Sequence, residues 1–442
     1  MPKLTTEGPT RVRFVVLAAL AAGAILSYLL RVCISPAGTT IQGDIGISDV
    51  AMGDVYSAFF LGYFWFQIPA GLVGNRFGAR ISLAVMGLLW AFATVVSARS
   101  HSTALLYWSR VALGVAQAGL FPVTIMAIRD WYPRERHGFA SSVITACMSA
   151  GAVLASALTT RLLGVFGWRE TFLIYGLIGA AWALWFLAWF RDTPDRHPAV
   201  NALELDLIRG SKLLTATDPE SSPIKKTPGL SIGQAMFAML GSAGMWALCT
   251  QAFFQAFGYA IFTTWFPAYL EKGRGVSVKA AGDLTTLPLF TIVIGSLVGG
   301  YLIDLILKKT GSRWLSRSGL PAAGMALCAS LAFAATLITS PLFAVSLIAI
   351  GMFFAGIAMP GKWACSIDLT GAHSATGFAV MNMAGNIGAW VCPKVVGQMF
   401  QGLDQGKGDW NSVLWLLAGI QMAAAIGCFV LNPNKPAIRT HA

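Results

Sequence analysis

Chemistry is expected first from two arginines, Arg31 and Arg110, because each is sunk in a long apolar run. The first run is residues 14–34 (FVVLAALAAGAILSYLLRVCI) and the second is residues 103–128 (TALLYWSRVALGVAQAGLFPVTIMAI). Either is long enough to cross a bilayer as one helix, which takes about 20 residues. A centrally placed arginine costs about 2.5–3.5 kcal/mol on insertion scales, so it faces a bundle interior or wet cavity and marks a substrate path. On a helix Tyr28 and Arg31, three apart, share a face, and so do Arg110 and Gln117, seven apart. The two guanidiniums are expected to meet across a central cavity. There a planar, permanently charged fork grips a carboxylate through two parallel hydrogen bonds. The structural alternative is that either arginine is satisfied by backbone carbonyls or packed against polar groups.

The elements that must position them follow from composition. The chain has 442 residues, 56% hydrophobic and 11% charged, with a mean hydropathy of +0.66; soluble domains carry roughly 25% charged residues. This composition is that of a polytopic membrane protein. The net charge of +12 lies in short basic clusters between apolar runs. The bias of Lys and Arg toward cytoplasmic loops explains such clusters without nucleic acid. All seven cysteines fall within or at the ends of apolar runs, with no CxxC pair and no zinc spacing, so they read as small buried hydrophobes. No helix assembles a nucleophile, a base and an acid, and no metal-ligand cluster appears, so neither an enzyme nor a cofactor is expected. The first apolar run is too long, with Arg31 inside it, for a cleavable signal core and stays as helix 1.

Apolar runs recur at roughly 14–34, 51–74, 81–98, 103–128, 138–160 and 171–190, then at 241–270, 280–306, 319–339, 341–367, 374–400 and 410–431. The expected fold is therefore all-α: twelve transmembrane helices in two six-helix bundles, residues 1–190 and 241–442. Residues 191–240 form a cytoplasmic linker rich in proline and charge. Within that linker ALELDLIRGSKLL reads either as a short amphipathic helix on the membrane surface or as a solvated tether. Most of the 31 Lys and Arg residues fall in the N-terminus, the C-terminus and the loops after even-numbered helices, which puts both termini in the cytoplasm.

The loop after helix 2 reads GLVGNRFGAR, residues 71–80, and the matching place in the second half reads GGYLIDLILKK, residues 299–309. Small residues allow close helix approach, and a carboxylate or amide beside basic groups bridges helix ends in one conformation only. Gly71, Asn75, Arg76, Gly78, Arg80 and Asp304 are accordingly expected to act as a gate. Two copies in matching positions indicate an internal repeat. In the second half Gln255 and Tyr259 share a face of helix 7, and Asn382 and Asn386 share one of helix 11. These amides and hydroxyls suit the reading of sugar-like hydroxyl groups.

The motif at 71–80 resembles the signature loop of the major facilitator superfamily, with Asn75 in place of its usual aspartate. More narrowly the chain resembles the anion:cation symporter family, which includes bacterial galactonate and hexuronate carriers and animal vesicular glutamate and sialic-acid carriers. The resemblance covers nearly the whole chain. It rests on Tyr28 and Arg31, FFLGYFWFQIPAG (59–71), SRVALGVAQAGLFP (109–122), WYPRER (131–136), GWRETF (167–172), TWFPAYL (264–270) and GFAVMNMAGNIGA (377–389). It implies that Arg31 and Arg110 bind a substrate carboxylate, that Tyr28 supplies a hydroxyl contact, and that Tyr63 and Asn382 face the cavity. Packing is the alternative for Tyr63.

Two departures from the family bear on mechanism. Proton-coupled members carry an acid just before the helix 1 arginine and another in helix 4, where this chain has Leu30 and Gln117. Lys362 stands where relatives have an aromatic or small residue. It is expected either to add a third positive charge to the cavity or to pair with Asp368, while Lys394 is expected to snorkel to the surface. Asp54, Asp283 and Asp368 are the acids nearest the membrane interior. The sequence thus points to a monomeric secondary transporter of a small organic anion, a carboxylate or sugar acid, working by alternating access in the cytoplasmic membrane. Its partners are the lipid bilayer, the substrate and a coupling proton or cation. An organic-phosphate exchanger of the same fold, whose relatives put an arginine where Gln255 stands, and a non-transporting sensor are the alternatives.

Overall fold

The structure, a computed structural model, describes residues 8–133, 136–216, 232–371 and 374–435. The regular elements among them are helices. The first, α1, is Val12–Val32. The continuous run Asp49–Ala98 is two helices, α2 (49–77) and α3 (79–98), joined at Gly78, whose φ of 78° lies in the left-handed region. Next comes α4, Thr103–Trp131. The run His137–Trp189 is likewise two helices, α5 (137–166) and α6 (168–189), joined at Gly167 with φ 78°. The second half comprises α7 (Ala243–Thr264, prolonged by Phe266–Arg274), α8 (Val278–Thr310), α9 (Leu315–Leu337), α10 (Pro341–Thr370), α11 (Ser374–Asp404) and α12 (Asn411–Val430). These are the twelve transmembrane passes. Short helices at Gly38–Ile45 and Ile232–Leu240 add to what the apolar runs foretell.

Local sequence explains where these helices begin and turn. Ser48, Ser102, Ser242 and Ser277 cap α2, α4, α7 and α8, each side chain accepting from the amide three residues on. The two sharp corners share the sequence Phe-Gly-x-Arg, at 77–80 and at 166–169. Only glycine tolerates that φ without a Cβ penalty. In each copy the arginine anchors the corner to a carboxylate. The Arg80 amide donates to Asp192 Oδ1 at 2.8 Å and its Nε to Leu187 O. Arg169 and Trp168 Nε1 both donate to Asp44 Oδ2, and the Arg169 guanidinium holds that carboxyl below the usual carboxylate range. The corners lie at opposite ends of the first bundle, as expected of an inverted repeat.

The two bundles also repeat one another. Cβ atoms built on Gly62 and Gly114 would strike the α4 carbonyl of Val111 and the α2 carbonyl of Phe59. Those on Gly295 and Gly356 would strike Phe353 and Ile292 in the equivalent α8–α10 pair. Such glycines let helices pack backbone to backbone, which is what drives association where lipid removes the hydrophobic incentive.

Among the described residues, α7 and α11 fall short of the apolarity that by composition alone marks a membrane-crossing helix. Both line the central cavity. Their polar residues therefore face a void between the bundles rather than lipid.

The helix Ala202–Ala216 does form in the polar segment between the bundles, and its Glu204, fully buried, belongs to the first bundle. This carboxylate accepts from the Val12 and Arg13 amides at 2.9 and 3.1 Å and from Thr10 Oγ1 at 2.7 Å. It thereby caps the start of α1, where a negative charge meets the positive end of the helix dipole.

The bundles are latched at the end away from the termini. Lys272 bridges Asp49 at 2.9 Å and Asp404 at 2.6 Å; Arg161 pairs with Asp283 at 2.9 Å and Lys394 with Asp54 at 3.1 Å. Ser35 Oγ donates to Thr264 O at 2.7 Å and Thr39 Oγ1 to Glu271 at 2.6 Å. Lys394 is thus an inter-bundle partner of Asp54 rather than a snorkelling surface group. Glycines close the seam: Cβ atoms at Gly53 and Gly397 would lie 2.5 Å from Pro393 O and 2.7 Å from Asp49 O.

On the terminus-bearing side of the helix midpoints, the hydrogen bond recorded between bundles among the described residues is Asn382 Nδ2 to Gln67 Oε1, 3.3 Å. Here Asn75 and Arg76 are exposed, Gly71 is half-buried and Asp304 is exposed. The Arg80 bonds described above stay within its own bundle, so the expected gate residues do not hold the bundles together in this state.

Gly53→Ala and Gly397→Ala are expected to force the latched end apart. With the native cysteines removed, a cysteine at Ser35, 2% exposed beneath the latch, should react severalfold faster with a maleimide in either variant. An unchanged rate would show that the glycine seam does not keep this end closed.

Candidate functional site

Between the bundles lies a cavity open to solvent, with an empty volume of about 930 Å³ that includes part of that solvent, and six helices line it: α1, α2 and α4 from one bundle, α7, α10 and α11 from the other. Tyr28, Arg31, Arg110, Tyr259, Lys362, Asn382 and Asn386 all face it. The candidates from sequence that do not are Tyr63, Gln117 and Gln255.

Arg31 sits on the last turn of α1 among four aromatic rings. Its guanidinium carbon is 4.2 Å from the Phe59 ring centre, 5.1 Å from Tyr28 and Phe60, and 5.3 Å from Tyr63. Ring faces stabilise a cation electrostatically, each by about 0.5–2 kcal/mol, without accepting its N–H groups as a carboxylate would. No hydrogen bond or ion pair joins this side chain to any described residue, so its fork remains available to a ligand. The rings come from Phe59, Phe60 and Tyr63, which with Tyr56 fall at the i, i+3, i+4, i+7 spacing of one helical face of α2. That stripe is present in the sequence as a signal, of which the sequence reading takes up only Tyr63. Tyr63 therefore contributes to the wall behind Arg31, stacked on Phe59 at 5.6 Å, instead of touching the void.

Arg110 is held differently. It is buried, and two of its nitrogens donate to main-chain carbonyls at the end of α1: Nη1 to Leu30 O at 3.3 Å and Nη2 to Arg31 O at 2.5 Å. Those carbonyls lack intrahelical partners and form the negative end of the helix dipole, so a cation there is stabilised. Its Nε has no partner. Arg110 therefore adds positive charge to the cavity while fixing the segment that carries Arg31. Both readings weighed for it, cavity cation and backbone-bound group, describe parts of the same side chain.

Gln117 is absent from the cavity because its Nε2 donates to Ser27 O at 2.8 Å, tying α4 to α1. Gln255 is buried against Gln251, whose Nε2 donates to its Oε1 at 3.2 Å. The first bond joins two helices, whereas the second lies within α7 and leaves Gln255 Nε2 without a partner. Asp368 pairs with Arg317 at 3.3 Å, which leaves Lys362 without that carboxylate. Asn386 lines the cavity with its Nδ2 unpartnered, and Tyr259 faces it from α7. Among the described residues no aspartate or glutamate lines this void, and no group of acids, cysteines and histidines is arranged to hold a metal.

The two arginines should separate in a thermal unfolding experiment on purified, ligand-free protein. Arg110→Ala orphans Arg31 O and leaves Leu30 O with only the Cys33 thiol, at about 1–3 kcal/mol for a buried group that loses its partner, and is expected to lower the melting temperature by several degrees. Arg31→Ala gives up ring contacts but no hydrogen bond or ion pair, and it removes the cost of holding a charge without a counter-ion, so it is expected to leave the melting temperature within a degree of wild type or above it. Equal losses in both would contradict the distinction.

Two six-helix bundles, related by an internal repeat and enclosing a cavity latched at one end, define a membrane transport protein. The sequence pattern of the Major Facilitator Superfamily matches residues 20–393, with a second match at 248–441, and the chain belongs to that superfamily. It is 28% identical to a probable sulfoacetate transporter of Cupriavidus necator, over 96% of this chain and 94% of that protein. It is 29% identical to a probable galactarate/D-glucarate transporter of Bacillus subtilis, over 96% and 92%. Among solved structures it resembles a bacterial homologue of the human lysosomal transporter Spinster, inward-facing and unoccupied. That match has a TM-score of 0.72 and 19% identity over 95% of this chain and 94% of the other, a likeness of fold.

Proposed function

We propose that this protein is a secondary transporter of the cytoplasmic membrane that carries a small organic acid by alternating access, with Arg31 as the main contact for its carboxylate. The observation that carries the reading is the Arg31 guanidinium, half-buried among aromatic rings yet unpaired in a cavity without a carboxylate of its own among the described residues. An anion supplies what that site lacks. Tyr28, Tyr259, Asn382 and Asn386 offer hydroxyl and amide groups for the rest of the molecule. The names of the relatives, a sulfoacetate carrier and a galactarate/glucarate carrier, support small organic acids as the class.

The Lys and Arg bias directs the terminus-bearing end to the cytoplasm, so the latched end is the outer one and the present state is inward-facing. Opening the outer end would break the Lys272, Arg161 and Lys394 pairs. In the opposite state the loop at Gly71–Arg80 and Asp304 would take over as the cytoplasmic closure. The chain would act as a monomer, since one bundle pair encloses a whole cavity.

Exchange or facilitated diffusion fits better than strict proton symport. The acids nearest the membrane interior, Asp54, Asp283 and Asp368, are each ion-paired, and Leu30 and Gln117 cannot titrate. An organic-phosphate exchanger is disfavoured because Gln255 is neutral and engaged with Gln251.

Reconstitution into liposomes tests this. Vesicles preloaded with D-glucarate should take up labelled D-glucarate or sulfoacetate by counterflow, with little inhibition by glucose 6-phosphate and none by D-glucose. Uptake that needs an imposed pH gradient and is lost in Asp54→Asn or Asp283→Asn would replace exchange with proton symport. Flux of D-glucose without flux of either acid would reject anion transport, and no flux of any solute would favour the sensor.

A further inference from the structure

Lys362 is the charged cavity residue for which the transport of a single carboxylate finds no use. It lies in α10, in the sequence MPGK, and lines the same void as Arg31. Its ammonium has no hydrogen bond or ion pair to any described residue. The carboxylate six residues on, Asp368, is occupied by Arg317 from α9 at 3.3 Å. The void that Lys362 lines contains no acid among the described residues, and Trp363, Tyr259, Asn382 and Asn386 in its wall are neutral.

The positions of the two free cations along the transport axis matter. Arg31 is on the last turn of α1, beneath the latched end. Lys362 stands eight residues before the end of α10 at the terminus-bearing side, nearer the opening. One cation comes from each bundle, at different depths, and amide and hydroxyl groups line the space they share. A monoanion bound at Arg31 leaves the half-buried Lys362 without a counter-charge in the same void, which is unfavourable. A second negative group on the same molecule removes that cost.

We infer that Lys362 recognises a second acid group and that the substrate is a short dianion, a dicarboxylate or a sulfo-carboxylate, with its two acids at opposite ends. The inference rests on the anion-transport reading of this site. Arg31 holds the first acid group with its planar fork. Lysine, a compact point charge with three rotatable donors, accepts a carboxylate or a sulfonate equally well. The neutral groups between them tolerate a hydroxylated or a plain carbon chain. Because the cations belong to different bundles, a dianion bridges the halves, and binding draws them together in a way a monoanion cannot.

The test uses ligand pairs that differ only in one charged end. Isothermal titration of the purified full-length protein compares D-glucarate with D-gluconate, and sulfoacetate with acetate. Wild type is expected to favour the dianion of at least one pair by about tenfold or more, the strength of one desolvated charge pair. Lys362→Gln and Lys362→Met should bring that ratio close to one, and Lys362→Arg should preserve it. A wild-type ratio near one in both pairs, or a ratio unchanged in Lys362→Gln, overturns the inference while leaving anion transport standing. If none of the four anions binds wild type, or if Arg31→Gln binds them unchanged, the anion reading itself fails. Should Lys362→Gln not fold, Lys362→Met against Lys362→Arg gives the same comparison at near-constant length.

Discussion

Positive charge held inside a low-dielectric bundle without a counter-anion is the constraint from which the rest of this structure follows. Full burial of an unpaired ion costs several kcal/mol even after relaxation, so a fold that keeps one must stabilise it by other means. Here there are two. Arg110 is received by main-chain carbonyls at the end of α1, whose partial negative charge is fixed by the helix itself. Arg31 is received by ring faces, which lower the energy of the cation but leave its hydrogen-bond donors unspent. The first arrangement builds the site and the second keeps it receptive. The aromatic stripe of α2 and the carbonyls at the end of α1 are therefore parts of one device.

Most of the architecture was legible in the sequence because hydropathy and its interruptions report directly on what faces lipid. The twelve passes and the polar segment between bundles were all written in runs of apolar residues. Arg31, Arg110, Tyr28, Tyr259, Asn382, Asn386 and Lys362 were also legible, since polar side chains in such runs need a void or a partner. Sequence did not reveal which of the two each would find. Periodicity assigns a residue to a face but does not say which neighbour lies against that face. Gln117 shares the face of Arg110, yet α1 passes close enough to present Ser27 O to it. Lys394 looked free to reach the surface until α2 brought Asp54 against α11. Asp368 was offered to Lys362 by sequence distance and claimed by Arg317 through the packing of α9 on α10.

The latched end combines two contacts with different physical responses. Ion pairs such as Lys272 with Asp49 and Asp404 are partly exposed and weaken as salt screens them. The approach of Gly53 and Gly397 to the opposite bundle's backbone is van der Waals packing, which ionic strength hardly alters. The two kinds of contact at one seam therefore respond differently to ionic strength.

The polar character of α7 and α11 also bears on how this chain is made. A segment that must enter lipid on its own is selected by hydropathy, and these two fall short of what the more apolar passes offer. They border the cavity with polar groups, so they are poor candidates for solitary insertion. Each is better accepted by the bilayer against a more apolar helix that it packs on, α12 for α7 and α10 for α11. The order in which helices leave the ribosome is thereby tied to the placement of the binding groups, and biogenesis and function draw on the same few residues.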